Sequence, residues 1–186
     1  MPTLTEIDGF PSWTTRATSG DVIQIRPVHE SDAAGLQHYF RSLSKPSRYR
    51  RFMGAVSELS PEETARIIGK GPVPTFAVVA EIHAANVPSI VGEANCALDI
   101  EGRHGDLAVS VEDRWQRHGI GFALLYVMEC CATRMGLRRL LGEALQSNDQ
   151  MRGLAKRAGF AVTQRPGEWD LVHIEKHLPS SGLSPG

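Results

Sequence analysis

The chain has little of what would mark a metalloprotein, a disulfide scaffold or a membrane protein. Among its 186 residues there are three cysteines, Cys96, Cys130 and Cys131. Three thiols make no paired framework, and the neighbours Cys130 and Cys131 would point to different faces of a helix, unable to clamp one ion together. They read as small apolar fillers. The seven histidines are scattered without metal-ligand spacing, so no structural or catalytic metal is expected. No apolar run approaches the roughly 20 residues needed to span a bilayer, and residues 1–20 lack a basic start followed by an apolar stretch. No membrane association or secretion is expected, and the cytoplasm is the expected location. Charge of one sign is lacking as well. Twenty basic and 21 acidic side chains leave a net charge of −1, so no global basic field favours nucleic acid. Local clusters remain at Arg48-Tyr49-Arg50-Arg51 and at Arg138-Arg139, the second read as solvated surface.

What is present suits one globular domain, with 41% hydrophobic and 22% charged residues. Residues 1–20, with Gly9, Pro11 and Gly20, read as an N-terminal arm. The domain itself is placed at 21–178, and the Ser/Gly/Pro-rich residues 179–186 read as a disordered tail. Val22–Arg26 has a strand pattern ended by Pro27. Glu30-Ser31-Asp32 opens a helix with Ala33, Leu36, Tyr39 and Phe40 at helical spacing. Ser60-Pro61-Glu62-Glu63 is a second helix start, because Ser60 can cap and Pro61 sits where its missing N–H costs nothing. Three strands follow, at Thr75–His83, Ser89–Asp99 and Asp106–Val111, as an antiparallel meander. A long helix is expected from Gly121 to Met135, with Leu124, Met128, Cys131, Ala132 and Met135 on one stripe. A strand at Leu140–Leu145, a helix capped by Asn148, and a strand pair at Ala161–Gln164 and Trp169–Lys176 complete the order. The result is an α/β layout with a mixed sheet and no internal repeat.

The segment Gln116-Arg117-His118-Gly119-Ile120-Gly121 lies between a strand and the long helix. The first N–H groups of a helix have no internal partner and lie at its positive end. Glycines at 119 and 121 let oxygen atoms approach the backbone, and successive amides in such a turn form an anion-binding concavity. Arg114 and Arg117 add positive charge. A P-loop fits badly, since no Lys follows Gly121, and a dinucleotide fingerprint lacks its third glycine.

That segment resembles the Gln/Arg-x-x-Gly-x-Gly/Ala motif of the GNAT acyltransferase superfamily. The similarity extends to the preceding strand, the helix after it and the segment Asn148–Phe160, and it covers about Val22 to Leu178. It implies the GNAT fold, a mixed and mostly antiparallel sheet with helices on both faces and a splayed central parallel pair, Asp106–Val111 and Leu140–Leu145. It also implies acetyl-CoA as co-substrate, with pantetheine along the backbone of Val109, Ser110 and Val111. The pyrophosphate would lie on the amides of Arg117, His118, Gly119, Ile120, Gly121 and Phe122. Asn148 would stand by the pantetheine arm or the adenosine side; its reading as a simple helix cap stands beside this, and both can hold.

The resemblance further implies an N-acetyltransferase in which an amine attacks the thioester directly while both substrates are held. The Val109 N–H would polarise the thioester carbonyl. Asp106 holds the position where similar protein acetyltransferases carry Glu, and is the candidate base, its solvent-facing strand-start reading standing beside it. Glu93 is the reserve, beside its reading as an exposed position of an alternating strand. The tyrosine that many relatives use to protonate the thiolate is replaced by Leu154 or Ala155. A non-catalytic acyl-CoA-binding sensor is therefore the alternative. Ser47-Arg48-Tyr49-Arg50-Arg51-Phe52 resembles a stretch of bacterial protein lysine acetyltransferases and falls between the first two helices. It places Arg48, Tyr49 and Arg51 on the acceptor side, unless Tyr49 and Phe52 only pack a helix–helix loop. The acceptor is a protein lysine or a small amine, and a homodimer is left open.

Overall fold

The computed structural model describes residues 2–7, 10–84, 87–99, 101 and 103–179. Nine strands form one sheet: β1 Thr3–Ile7, β2 Phe10–Arg16, β3 Val22–Pro27, β4 Thr75–Ala84, β5 Val87–Leu98, β6 His104–Val111, β7 Arg139–Leu145, β8 Ala161–Thr163 and β9 Leu171–His177. Their spatial order is β1-β2-β3-β4-β5-β6-β7-β9-β8. Every neighbouring pair is antiparallel except β6 and β7. Five α-helices connect them: α1 Ala33–Ser42, α2 Lys45–Phe52, α3 Pro61–Ile67, α4 Ile120–Arg134 and α5 Asp149–Arg157.

Strand alternation divides the core into two layers. Along β4, Val78 and Ala80 face one side and pack with Leu124, Leu125 and Met128 of α4. Ala77 and Val79 face the other and pack with Leu36, Phe40 and Ile67 of α1 and α3. Each fully buried side chain of this size contributes about 1.5–3 kcal/mol through burial alone. Helices thus cover both faces, as the GNAT resemblance implied. α4 is buried more widely than one stripe, because Leu125 and Val127 are covered as well as Leu124, Met128 and Ala132. Met135, expected on the stripe, is half exposed at the helix end.

Two segments differ from the sequence reading. Within the expected arm, β1 and β2 extend the sheet beyond β3. Residues 45–52, read as the surroundings of a helix–helix loop, form α2 instead. Ser44 caps it by accepting from the Ser47 N–H at 3.3 Å, and Pro46 sits in its first turn, where it blocks no helical hydrogen bond. Met53 ends it in the left-handed region, at φ 51°. Of the expected tail, residues 180–186 lie outside the described residues.

Candidate active site

The parallel pair β6–β7 stays in register only at His104↔Arg139, Gly105↔Leu140 and Asp106↔Leu141. Beyond those positions the strands part. Gly142 marks the last close approach, since a Cβ there would stand 3.0 Å from the Leu107 carbonyl oxygen. Backbone direction follows from the flanking bonds. The Glu112 N–H donates to Val91 O of β5, whereas Arg103 O accepts from the Arg138 N–H beside β7. In an antiparallel pairing successive residues alternate sides, so the amide and carbonyl of Val109 point into the split. Among the described residues they meet no strand there. An open stretch of strand edge presents donors and acceptors for an extended chain.

The split belongs to a cleft of about 850 Å³, walled by Val109 and Val111 of β6, Gly142 of β7, Leu154 of α5 and the start of α4. At the α4 end, Gly119 is the N-cap with φ 87°, and no side chain caps the helix. The first amides of α4 are thus left for an outside acceptor. Arg117 is also left-handed, at φ 64°. Such a conformation in a non-glycine residue costs about 1–2 kcal/mol and turns neighbouring amides toward a common centre. The combination favours an anion, and Arg117 in the wall supplies a full positive charge. The turn after β2 braces this loop: the Thr18 N–H donates to His118 O at 3.3 Å, and Thr18 Oγ1 lies 3.1 Å from His118 Nδ1.

Not every residue of the motif faces the cleft with its side chain. Gln116 lines the cleft, but its side chain is engaged, donating from Nε2 to Val111 O at 3.1 Å and to Ser47 Oγ at 3.4 Å. Ile120 is buried in the core, and the His118 ring stands edge-on to Trp115 at 5.9 Å. Asn148 caps α5 by accepting from the Met151 N–H at 3.1 Å, and it also lines the cleft. Both readings of that residue are compatible with its position.

The candidate carboxylates are placed unequally. Asp106 is exposed, lies in the paired part of β6 and does not line the cleft. Glu93 is 3% exposed. It is not the solvated strand position that alternation suggested. It accepts from Arg51 Nη2 at 3.3 Å and from Asn95 Nδ2, while Arg66 Nη1 donates to Asn95 Oδ1 at 3.2 Å. Next to this network the Tyr39 hydroxyl donates to Ser110 Oγ at 2.9 Å. Burial raises the Tyr39 hydroxyl well above the ordinary tyrosine range. Arg51 lines the cleft, whereas Tyr49 is half exposed outside its wall, and Arg48 turns to Ser57 O at 3.3 Å. Phe52 packs edge-on against Phe40 at 5.2 Å.

Two lining residues were not among the site residues expected from the sequence, although Arg50 belongs to the basic cluster noted there. Arg50 lines the cleft beside Arg51. Glu143 lines it from the splayed part of β7, with Oε1 3.4 Å from Nδ1 of His173, whose Nε2 faces Glu168. The pairing Glu143↔His173 joins β7 to β9, strands some thirty residues apart in sequence. No local pattern announces such a contact.

The start of α2 is fixed to the segment before the phosphate-type loop. Asp113 accepts from the Ser44 N–H at 2.9 Å, Ser44 Oγ at 2.7 Å and Ser47 Oγ at 2.8 Å. Burial pushes the Asp113 carboxyl up, but these hydrogen bonds together outweigh it and hold the group below the ordinary carboxylate range.

Comparison with known proteins agrees with this geometry. The acetyltransferase (GNAT) domain family matches residues 23–161. An acetyltransferase of Pseudomonas aeruginosa is 26% identical over 156 residues, covering 84% of each chain. The GNAT domain of S. lividans PAT superimposes with a TM-score of 0.80 at 23% identity, over 90% of this chain and 97% of that one. A Salmonella typhimurium protein described as a putative acetyltransferase, solved with its cofactor acetyl-CoA, superimposes with a TM-score of 0.67 at 18% identity, over 88% and 98%. With the split strand pair, the uncapped helix start and a family match across most of its length, the chain belongs to the GNAT acetyltransferase family.

Proposed function

We propose that the protein is an acetyl-CoA-dependent N-acetyltransferase that acts on a primary amine while both substrates are bound. The observation that carries this reading is the unpartnered backbone of Val109 in a split that opens onto the uncapped start of α4. Bound acetyl-CoA would supply the acyl group as a thioester. The amides from Arg117 to Phe122 would hold the pyrophosphate, with Arg117 as counter-charge. The backbone of Val109 and Val111 would receive the amide groups of pantetheine as a neighbouring strand would. The Val109 N–H would then stabilise negative charge developing on the thioester oxygen. The relative solved with acetyl-CoA supports this donor.

A basic group must accept the ammonium proton before or during attack. Glu143 lines the cleft on splayed β7 with His173 3.4 Å from it, and would be the group that accepts this proton. Asp106 shares that sheet face, since its register partner Leu141 lies one pleat from Glu143. It would act through water. Glu93, tied to Arg51, would position α2. A second reading is a non-catalytic acyl-CoA sensor, favoured by Leu154 in the wall where a hydroxyl acid would serve the leaving thiolate.

Thiol release from acetyl-CoA across an amine panel separates the two. The enzyme reading expects amine-dependent release that falls at least about tenfold in Glu143→Gln, with a smaller loss in Asp106→Asn. Tight acetyl-CoA binding without release for any amine favours the sensor. Equal activity of wild type and both variants removes these carboxylates from the chemistry.

A further inference from the structure

The α2 wall carries cations that the transfer step above leaves unused. The Arg51 side chain is only 7% exposed, yet the residue lines the cleft. Its guanidinium stacks over Phe52 at 4.9 Å and donates to Glu93 from Nη2. Its buried Nε–H has no acceptor. Buried donors are matched in the great majority of cases in native proteins, and an unmatched one next to a cleft points to a partner that arrives with the ligand. Arg50, the next residue back, also lines the cleft and has no partner among the described residues. Behind them Arg66 reaches Glu93 only through Asn95. In this hydrogen-bonded group Glu93 is the single carboxylate, so positive charge is in excess on the α2 wall.

The position of these cations limits what they could receive. Glu93 is the register partner of Ser110, next to Val109 on β6, so Arg51 stands level with the acyl end of the split. The phosphate-type loop, with Arg117, lies at the start of α4. A cation as buried as Arg51 is touched only by a group that enters the cleft. A protein lysine brings only methylenes within several ångströms of its ammonium group. A planar guanidinium with free donors matches a carboxylate. From β7, across the split from β6, Glu143 attracts an ammonium group and repels a carboxylate.

We infer that the acceptor is a small amine bearing its own carboxylate, an amino acid in chemical class, whose carboxylate is received by Arg51 and Arg50. The carboxylate would lie on the α2 wall and the amine toward Glu143 and the split. This inference rests on the acetyl-transfer reading.

The test uses the full chain with acetyl-CoA and matched amines that differ only in the carboxylate: phenylalanine against phenethylamine, and lysine against cadaverine. The carboxylate-bearing member should be preferred in kcat/KM by at least about tenfold, as expected for charged hydrogen bonds. Arg50→Ala should lower that preference mainly through KM. Arg51→Lys, which keeps the charge but loses the fork, should lower it further. Arg50 is exposed, so its variant keeps the fold and stays informative even if Arg51→Lys is unstable. Transfer without preference, or a preference unchanged in the Arg50 variant, overturns the inference while leaving the transferase reading intact. If no amine releases thiol, the transferase reading falls. Calorimetry of phenylalanine against the CoA-loaded protein then still decides the arginine site, where absence of binding, or binding equal in wild type and Arg50→Ala, overturns it.

Discussion

The two walls of the cleft are built from different materials. The wall at α4 is backbone: the amides after Gly119 and the free edge of β6. The wall at α2 is side chains brought from separate elements, with Arg50 and Arg51 from α2, Glu93 from β5 and Arg66 from the loop-ward end of α3. A backbone site depends on conformation and tolerates many side chains. A side-chain site depends on packing and on charge balance, and can be retuned by substitution. On the proposed function the donor would be held by the fixed wall and the acceptor by the adjustable one.

Removing the charge balance of the α2 wall should have the largest effect. Glu93→Ala leaves Arg51 buried beside Arg66 without their carboxylate. Breaking a buried pair in this way costs about 3–5 kcal/mol, which urea unfolding would report. If CoA affinity of the remaining folded protein falls equally, the two walls are not separable and the comparison fails.

Gly119→Val tests the other wall. A β-branched residue at φ 87° costs about 1–2 kcal/mol, and its relief would turn the amides away from the anion. CoA affinity should fall by about tenfold or more, read by calorimetry, with the ranking among amines unchanged. A changed ranking would mean that the loop also reads the acceptor.

The smallest effect is expected where the walls are joined, at Asp113. Its folded-state carboxyl is held below its ordinary value. The stability it adds is present above the unfolded pKa and is lost as pH falls through the folded one. Asp113→Asn should cost about 1 kcal/mol near neutral pH. It should also flatten the loss of thermal stability in the acid range below about pH 4. Identical pH profiles for wild type and variant would show that α2 is docked by other contacts.

Much of the fold was legible because its signals are local. Ser60-Pro61 marked α3, alternating residues marked β6, and Gly136 followed α4. α2 escaped because its cap and proline stand in a strongly basic segment without an apolar stripe, so periodicity gave no helix. The strands β1 and β2 escaped because the glycines and proline of residues 1–20 read as breaks, and only the pairing of β2 with β3, and of β1 with β2, organises them. The site divides in the same way. The loop motif and the basic cluster around Arg50 were visible, while Glu143 and His173 were not, because β7 and β9 meet only after the chain has turned through α5 and β8.

Sequence by itself determined the family resemblance and the glycine loop before α4, because glycine spacing before a helix is a statement about backbone conformation, and backbone conformation is local. The tertiary structure decided which charges face the cleft. It buried Glu93, left Asp106 in solvent, brought Arg50 and Arg51 to the α2 wall and set Glu143 on splayed β7. Strand alternation offers each side chain one of two faces, and only the packing of helices against those faces decides which is covered.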